Sequence, residues 1–152
     1  MEHHFEKLKD HILSLSNSQD FHAAKNEWKL VGVEIQENWN NCPCGKRIKE
    51  LCYIQNQFNA NKTYVGNVCV SQFIGISTGN LFDGLKRIAK DSSANANEDL
   101  ILHAYQFGYI YEKEYQFLMQ TRSKRKVSDK QLAWKQKINW RIVNQTVVRK
   151  NT

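Results

Sequence analysis

Four cysteines, all between residues 42 and 69, constrain this chain more than any other feature of its sequence. Cys42 and Cys44 form a C-x-C-G motif, Cys52 follows eight residues later, and Cys69 follows after seventeen more. Thiolates are preferred zinc ligands, and four of them bind zinc as a closed tetrahedron. We therefore predict one structural zinc ion bound by Cys42, Cys44, Cys52 and Cys69.

The residues around the first and last cysteines favour a defined shape for this site. In the run Cys42-Pro43-Cys44-Gly45, proline fixes one dihedral angle and glycine permits a positive φ, as a tight turn requires. Cys69 opens a predicted helix that extends to Ile76, and a helix N-terminus stabilises a thiolate. A knuckle, a β-hairpin and a ligand on the first helical turn together predict a treble-clef zinc finger.

Two alternatives to the four-cysteine site remain open. Cys52 is also explained as an ordinary buried cysteine, since free cysteine is commonly buried. A histidine, His22 or His103, is the other candidate for the fourth ligand, whereas His3, His4 and His11 are expected to be exposed near a frayed N-terminus. Residues 1–15 lack the layout of a signal peptide, and no apolar run approaches about 18 residues, so we expect a cytoplasmic protein without a membrane span.

Hydrophobic periodicity predicts an α+β fold. Residues 1–78 alternate short helices with three strands, and residues 79–152 show helical periodicity only. The predicted organisation is a zinc-binding α+β module, 1–78, followed by a helical segment, 79–152, with a basic C-terminal helix. Because each half is small for independent stability, we expect the two to pack as one unit around a shared core.

Capping signals locate two of the helix starts. Ser128 and Gln131 form a capping box, in which each side chain bonds the other residue's backbone N–H, and so predict a helix from Ser128 to about Thr146. Asn95 and Glu98 resemble the same motif and predict a helix over about 96–107, which Gly108 ends.

Positive charge is concentrated at the C-terminus. The chain carries a net charge of +7, and residues 122–152 hold ten Lys and Arg against one acid, Asp129, which leaves −2 for the remainder. This asymmetry predicts a polyanionic partner, most simply nucleic acid. Trp134 and Trp140 are expected in the core. The predicted nucleic-acid contacts are Arg122, Lys124, Arg125, Lys126, Lys130, Lys137 and Arg141.

Several short runs resemble a group of small, largely uncharacterised zinc-binding proteins found in bacteriophages, some bacteria and large DNA viruses. The resemblance covers roughly Trp28 to Gly75, and the helix start Val127–Gln131 resembles one that often accompanies that module. It implies zinc and a treble-clef shape. In that group a histidine commonly follows the C-x-C-G glycine, but this chain has Lys46, which excludes a histidine ligand there. The runs are WKLV at 28–31, CPCG at 42–45, IKELC at 48–52 and VGNVCV at 65–70.

Nothing in the sequence predicts catalysis. The chain has no P-loop, no Gly-rich dinucleotide loop, no H-E-x-x-H and no G-x-S-x-G motif. Zinc held by four thiolates has no open position for water. We therefore expect a non-catalytic zinc protein that binds DNA or RNA through its basic C-terminal surface. The alternative is a phage- or virus-type interaction factor that binds and inhibits or redirects a host protein machine.

Overall fold

The computed structural model describes residues 2–75 and 77–150 and confirms the α+β fold class. These residues form a three-stranded antiparallel sheet and seven α-helices. The chain divides into two compact units, Met1–Gly79 and Asn80–Thr152. A shared core between them stays a prediction. No helix among the described residues has the length and apolarity needed to cross a bilayer.

The first unit combines three helices with the sheet, whose strand order is β1-β2-β3. Strand β1 continues through residues 38–41, so it ends directly before Cys42. Helix α3 begins at Asn67, two residues before the predicted start, and Ile76 at its predicted end lies outside the described residues. The elements are α1 (Glu2–Ser14), α2 (Phe21–Ala24), a 3-10 turn (Lys25–Glu27), β1 (Trp28–Asn41), β2 (Arg47–Asn56), β3 (Lys62–Gly66) and α3 (Asn67–Ile74).

A buried carboxylate ties the first unit together where its helices meet the sheet. Glu27 accepts hydrogen bonds from the backbone N–H groups of Asn17 and Ser18, at 2.7 and 2.8 Å. It also accepts one from the Asn56 side chain at 2.8 Å. These bonds satisfy the desolvated carboxylate, since a buried charge is tolerated when it is well hydrogen-bonded. Leu8 and Ile12 of α1 are buried, as their helical spacing predicts.

The second unit is helical throughout, as the sequence predicted. The capping box at Ser128 and Gln131 is confirmed by both reciprocal hydrogen bonds, at 3.2 and 3.1 Å. The predicted cap at Asn95 is wrong, because Asn97 accepts from the Leu100 N–H and starts that helix instead. The elements are α4 (Gly79–Lys90), α5 (Glu98–Gln106), α6 (Glu112–Thr121) and α7 (Asp129–Val143).

A buried ion pair joins α6 to α7 within this unit. The Arg141 guanidinium donates to Glu114 Oε2 and, at 3.0 Å, to the Tyr109 carbonyl oxygen. Glu114 also accepts from Trp134 Nε1 at 3.1 Å and from the Tyr111 N–H at 2.9 Å. The carboxylate therefore satisfies the helix start of α6 and a side chain of α7 at the same time.

Candidate metal centre and basic cleft

Three of the four cysteines come together in the first unit. The sulfur atoms of Cys42, Cys44 and Cys69 all lie within 4.8 Å of one another, and all three side chains are buried. Sulfur ligands about 2.3 Å from a tetrahedral zinc ion are separated by distances below this limit. The group could therefore hold a metal ion.

The local backbone explains why these sulfurs converge. The turn between β1 and β2 is closed by hydrogen bonds from Gly45 N–H to the Cys42 carbonyl and from Cys42 N–H to the Lys46 carbonyl, both 2.8 Å. Gly45 has a φ of +100°, which the sequence predicted and which a side chain would strain. Cys69 lies in the first turn of α3 and so points its sulfur at this knuckle.

Hydrogen bonds to sulfur favour a thiolate at Cys42. The sulfur atoms of Cys69 and Cys42 are 3.6 Å apart, and the Gly66 N–H donates to Cys42 Sγ from 3.3 Å. The hydrogen bond shared with Cys69, the largest cause, lowers the pKa of Cys42. A thiolate is the form that binds metal. Gly66 lies against the site, because a Cβ there would lie 3.9 Å from Cys42 Sγ, and the same Cβ would crowd Ile48 Cγ2 at 3.0 Å.

Cys52 does not belong to this group of three. It is fully buried on β2, and its sulfur lies 3.8 Å from Thr78 Oγ1. Burial raises the pKa of the Cys52 thiol to about 11. The structure thus brings together three of the four predicted ligands. The alternative ligands also lie outside the group: His22 is exposed, and His103 is buried in the second unit.

Two N-terminal histidines, His4 and His11, were expected to be exposed but are half-buried and make hydrogen bonds within the first unit. His4 is half-buried, and its Nδ1 donates to the Cys44 carbonyl at 2.7 Å. His11 Nε2 lies 2.7 Å from Thr63 Oγ1. Helix α1 therefore supports the knuckle by bonding its backbone. No local sequence signal links residue 4 to residue 44, so sequence reasoning could not find this contact.

His103 has a packing role that makes the stability of the second unit depend on pH. Its ring lies 4.2 Å from the Phe107 ring, and burial lowers its pKa to about 4 from 6.5. The unfolded chain then binds the proton more tightly, so stability falls as pH drops from about 6.5 towards 4.

We expect the titration of His103 to cost the second unit about 2–3 kcal/mol of unfolding free energy between pH 7 and 4.5. Urea unfolding at both pH values should show a correspondingly smaller loss for His103→Leu, and parallel losses would contradict the assignment.

The second unit contains a strongly basic cleft of about 880 Å³. It is lined by seven cationic side chains and by one acidic side chain, that of Asp91. Asp91 accepts hydrogen bonds from the hydroxyl and N–H of Ser93, at 2.7 and 3.0 Å, and these bonds lower its pKa. The lining comes from the end of α4, the loop after it, the connection before α7, and α7 itself. The cations are Arg87, Lys90, Arg122, Lys124, Arg125, Lys126 and Lys135.

Hydrogen bonds from polar side chains hold the walls of this cleft in place. Asn95 donates to the Lys124 carbonyl at 2.9 Å and accepts from Lys135 Nζ. Asn139 donates to the carbonyls of Ser92 and Ala94, at 2.8 and 2.9 Å. Lys135 is only 3% exposed, and this burial lowers its pKa. The loop over residues 91–97, the connection over 122–127 and helix α7 are thereby linked, so the cleft is preorganised.

The predicted basic contacts divide into three sets. Arg122, Lys124, Arg125 and Lys126 line the cleft. Lys130 and Lys137 are exposed but do not line it. The prediction for Arg141 is wrong. Its guanidinium is buried in the ion pair with Glu114, so it is a structural residue and not a surface contact.

Sequence reasoning also missed cleft residues and misplaced a tryptophan. Arg87 and Lys90 line the cleft, and their only sequence signal is their position as basic residues in the last turn of α4. Trp134 is half-buried and stacks on Phe117 at 4.4 Å. Trp140 was expected in the core but is 61% exposed.

Fold and site together define an α+β protein in which three buried cysteines could hold a metal ion. No protein-family model, no curated protein and no solved structure matches the chain. The residues themselves are therefore the basis for a proposed function.

Proposed function

We propose that this chain is a non-catalytic, zinc-stabilised protein that binds nucleic acid through the basic cleft of its second unit. The observation that carries the proposal is the ratio of seven cations to one acid around a single cleft. Such charge density attracts phosphates, and release of condensed counterions supplies the affinity. Asp91 stays ionised, since the hydrogen bonds from Ser93 lower its pKa, and it offsets only one of the seven positive charges.

Zinc is the metal that the ligand chemistry of the first unit favours. Soft thiolate ligands select zinc over magnesium or calcium, which prefer oxygen. The order of a knuckle, a hairpin and a helix bearing Cys69 supports a treble clef around that ion. The fourth ligand is then either Cys52, after a shift of its side chain, or a group that is not one of the four cysteines. With four protein ligands, the ion would stabilise a small unit and have no open position for catalysis.

Salt dependence tests the proposal directly. We expect binding to labelled 20-nucleotide DNA and RNA, measured by fluorescence anisotropy, to weaken steeply between about 50 and 200 mM salt. A triple variant that combines Lys124→Gln, Arg125→Gln and Lys126→Gln removes three cations from the cleft. The slope of log affinity against log salt should then fall by about 2 to 3. These side chains are exposed, so the fold should be unchanged.

A matched variant separates local charge from total charge. Lys29→Gln, Lys62→Gln and Lys113→Gln together remove the same charge from exposed positions outside the cleft. We expect this control to retain most of the wild-type slope. Equal losses in both variants, or binding that is flat with salt, would contradict the proposal. If this chain shows no affinity for nucleic acid but retains a bound protein partner after nuclease treatment, the alternative, a protein-interaction factor, is favoured.

A further inference from the structure

Trp39 is an exposed aromatic side chain of the first unit, and cations surround it. It is 54% exposed. The Arg47 guanidinium carbon lies 5.1 Å from its ring centre, and Lys49 Nζ lies 4.9 Å from it. Two cations within about 6 Å of one indole ring form favourable cation–π contacts. More than half of the tryptophan still faces solvent, so these contacts do not serve to bury it.

An irregularity in the sheet presents this side chain. Ile35 pairs with Glu50 and Asn40 pairs with Ile48, so residues 36–39 of β1 lie opposite Lys49 alone. A bulge of this kind bends a strand and redirects its side chains, and such bulges are frequent beside functional sites. Arg47 and Lys49 are two residues apart on β2 and therefore share a face.

The side chains around Trp39 are mostly cationic, so the surface suits a ligand that carries both a negative charge and an aromatic ring. Lys46, Arg47 and Lys49 are exposed cations where the chain enters β2, and Glu37, two residues before Trp39, is an exposed acid in the bulge. Glu50 accepts a hydrogen bond from the Asn67 side chain at 2.8 Å, which directs it towards α3. The aromatic ring offers a stacking surface, and the cations offer phosphate contacts.

We propose that Trp39, Arg47 and Lys49 form a stacking site for an unpaired base, which gives the protein a preference for single-stranded nucleic acid. This inference rests on the proposed function for its class of ligand but uses a different surface in a different unit. Bases of a duplex stack on one another and hide their π-faces, whereas single-stranded bases are free to stack on an aromatic residue. Stacking is sequence-tolerant, so no base preference is expected.

The test compares single-stranded and duplex 20-mers of one sequence with the full-length protein. Trp39→Ala should weaken single-strand binding about five- to a hundredfold and change duplex binding less than about twofold. Trp39→Phe should restore part of the loss, because it keeps a stacking ring. Phe58→Ala is the matched control, since Phe58 is a 72% exposed aromatic in the same unit outside this patch. It should leave both affinities unchanged.

The outcomes separate this inference from the proposed function. Loss of binding in the cleft variant together with an unchanged single-strand-to-duplex ratio in Trp39→Ala would overturn the stacking site and leave the cleft proposal standing. Equal loss for Trp39→Ala and Phe58→Ala would also overturn it. Absence of all nucleic-acid binding by the wild type would overturn both proposals. Metal content and melting should match the wild type in every variant, because both aromatic residues are exposed.

Discussion

Replacing Cys42 with serine is expected to prevent metal binding and to unfold the first unit. Cys42 lies at the centre of the group, because its sulfur contacts Cys69 Sγ at 3.6 Å and accepts the Gly66 N–H. Structural zinc contributes about 10–16 kcal/mol of apparent binding free energy in small zinc-binding peptides, which exceeds the stability of most domains. Serine lacks the thiolate, so the knuckle and α3 lose their common anchor.

The measurement combines metal stoichiometry with thermal melting. Wild-type protein purified without chelator should carry about one zinc ion per chain, and a strong chelator should reproduce the effect of Cys42→Ser. Cys52→Ser is the informative comparison. Zinc retained by Cys52→Ser would show that Cys42, Cys44 and Cys69 suffice as cysteine ligands. Zinc lost from Cys52→Ser would identify Cys52 as the fourth ligand. Wild-type protein without metal, or Cys42→Ser with unchanged melting, would refute the metal centre.

Glu114→Ala is expected to destabilise the second unit by about 3–5 kcal/mol, because it leaves the buried Arg141 charge without its partner. The same change removes the acceptor of the Trp134 indole N–H and of the Tyr111 N–H at the start of α6. A loss of this size is a large part of the stability of a unit this small.

Paired variants distinguish the ion pair from general damage to α6. Glu112→Ala, an exposed acid in the same first turn, should change stability by less than about 0.5 kcal/mol. The double variant Glu114→Gln with Arg141→Met should recover part of the loss, because no uncompensated charge remains. Arg141 Nε has no hydrogen-bond partner among the described residues, so the pair is not fully satisfied even in the wild type. Equal urea unfolding of Glu114→Ala and Glu112→Ala would contradict the argument.

Features fixed by residues close in sequence could be predicted. The Cys42–Gly45 knuckle and the Ser128 capping box each depend on a few consecutive residues, and both are present. The α+β class also followed, since hydrophobic periodicity changes where the strands give way to helices. The predicted Asn95 cap failed because Asn97, two residues later, offers the same chemistry.

Features that depend on tertiary packing could not be predicted. The charge pattern predicted Arg141 as a surface contact, but its partner Glu114, 27 residues away, draws it into the interior. Trp140 was expected inside because tryptophan is usually buried, yet α7 turns it outwards. Arg87 and Lys90 join the cleft only because α4 ends beside the connection that precedes α7. Trp39 is presented by an irregularity in the pairing of β1 with β2, which depends on both strands.

Strand β1 leads directly into the Cys42–Gly45 knuckle, which couples the proposed stacking site to the proposed metal site. Strand β1 ends at Asn41, and the next residue is Cys42, so the ribbon that carries Trp39 is anchored at the cysteine group. The seven cations of the cleft all belong to the other compact unit. Under the two proposals, loss of zinc would abolish the preference for single strands before it weakened the attraction of the cleft for phosphates.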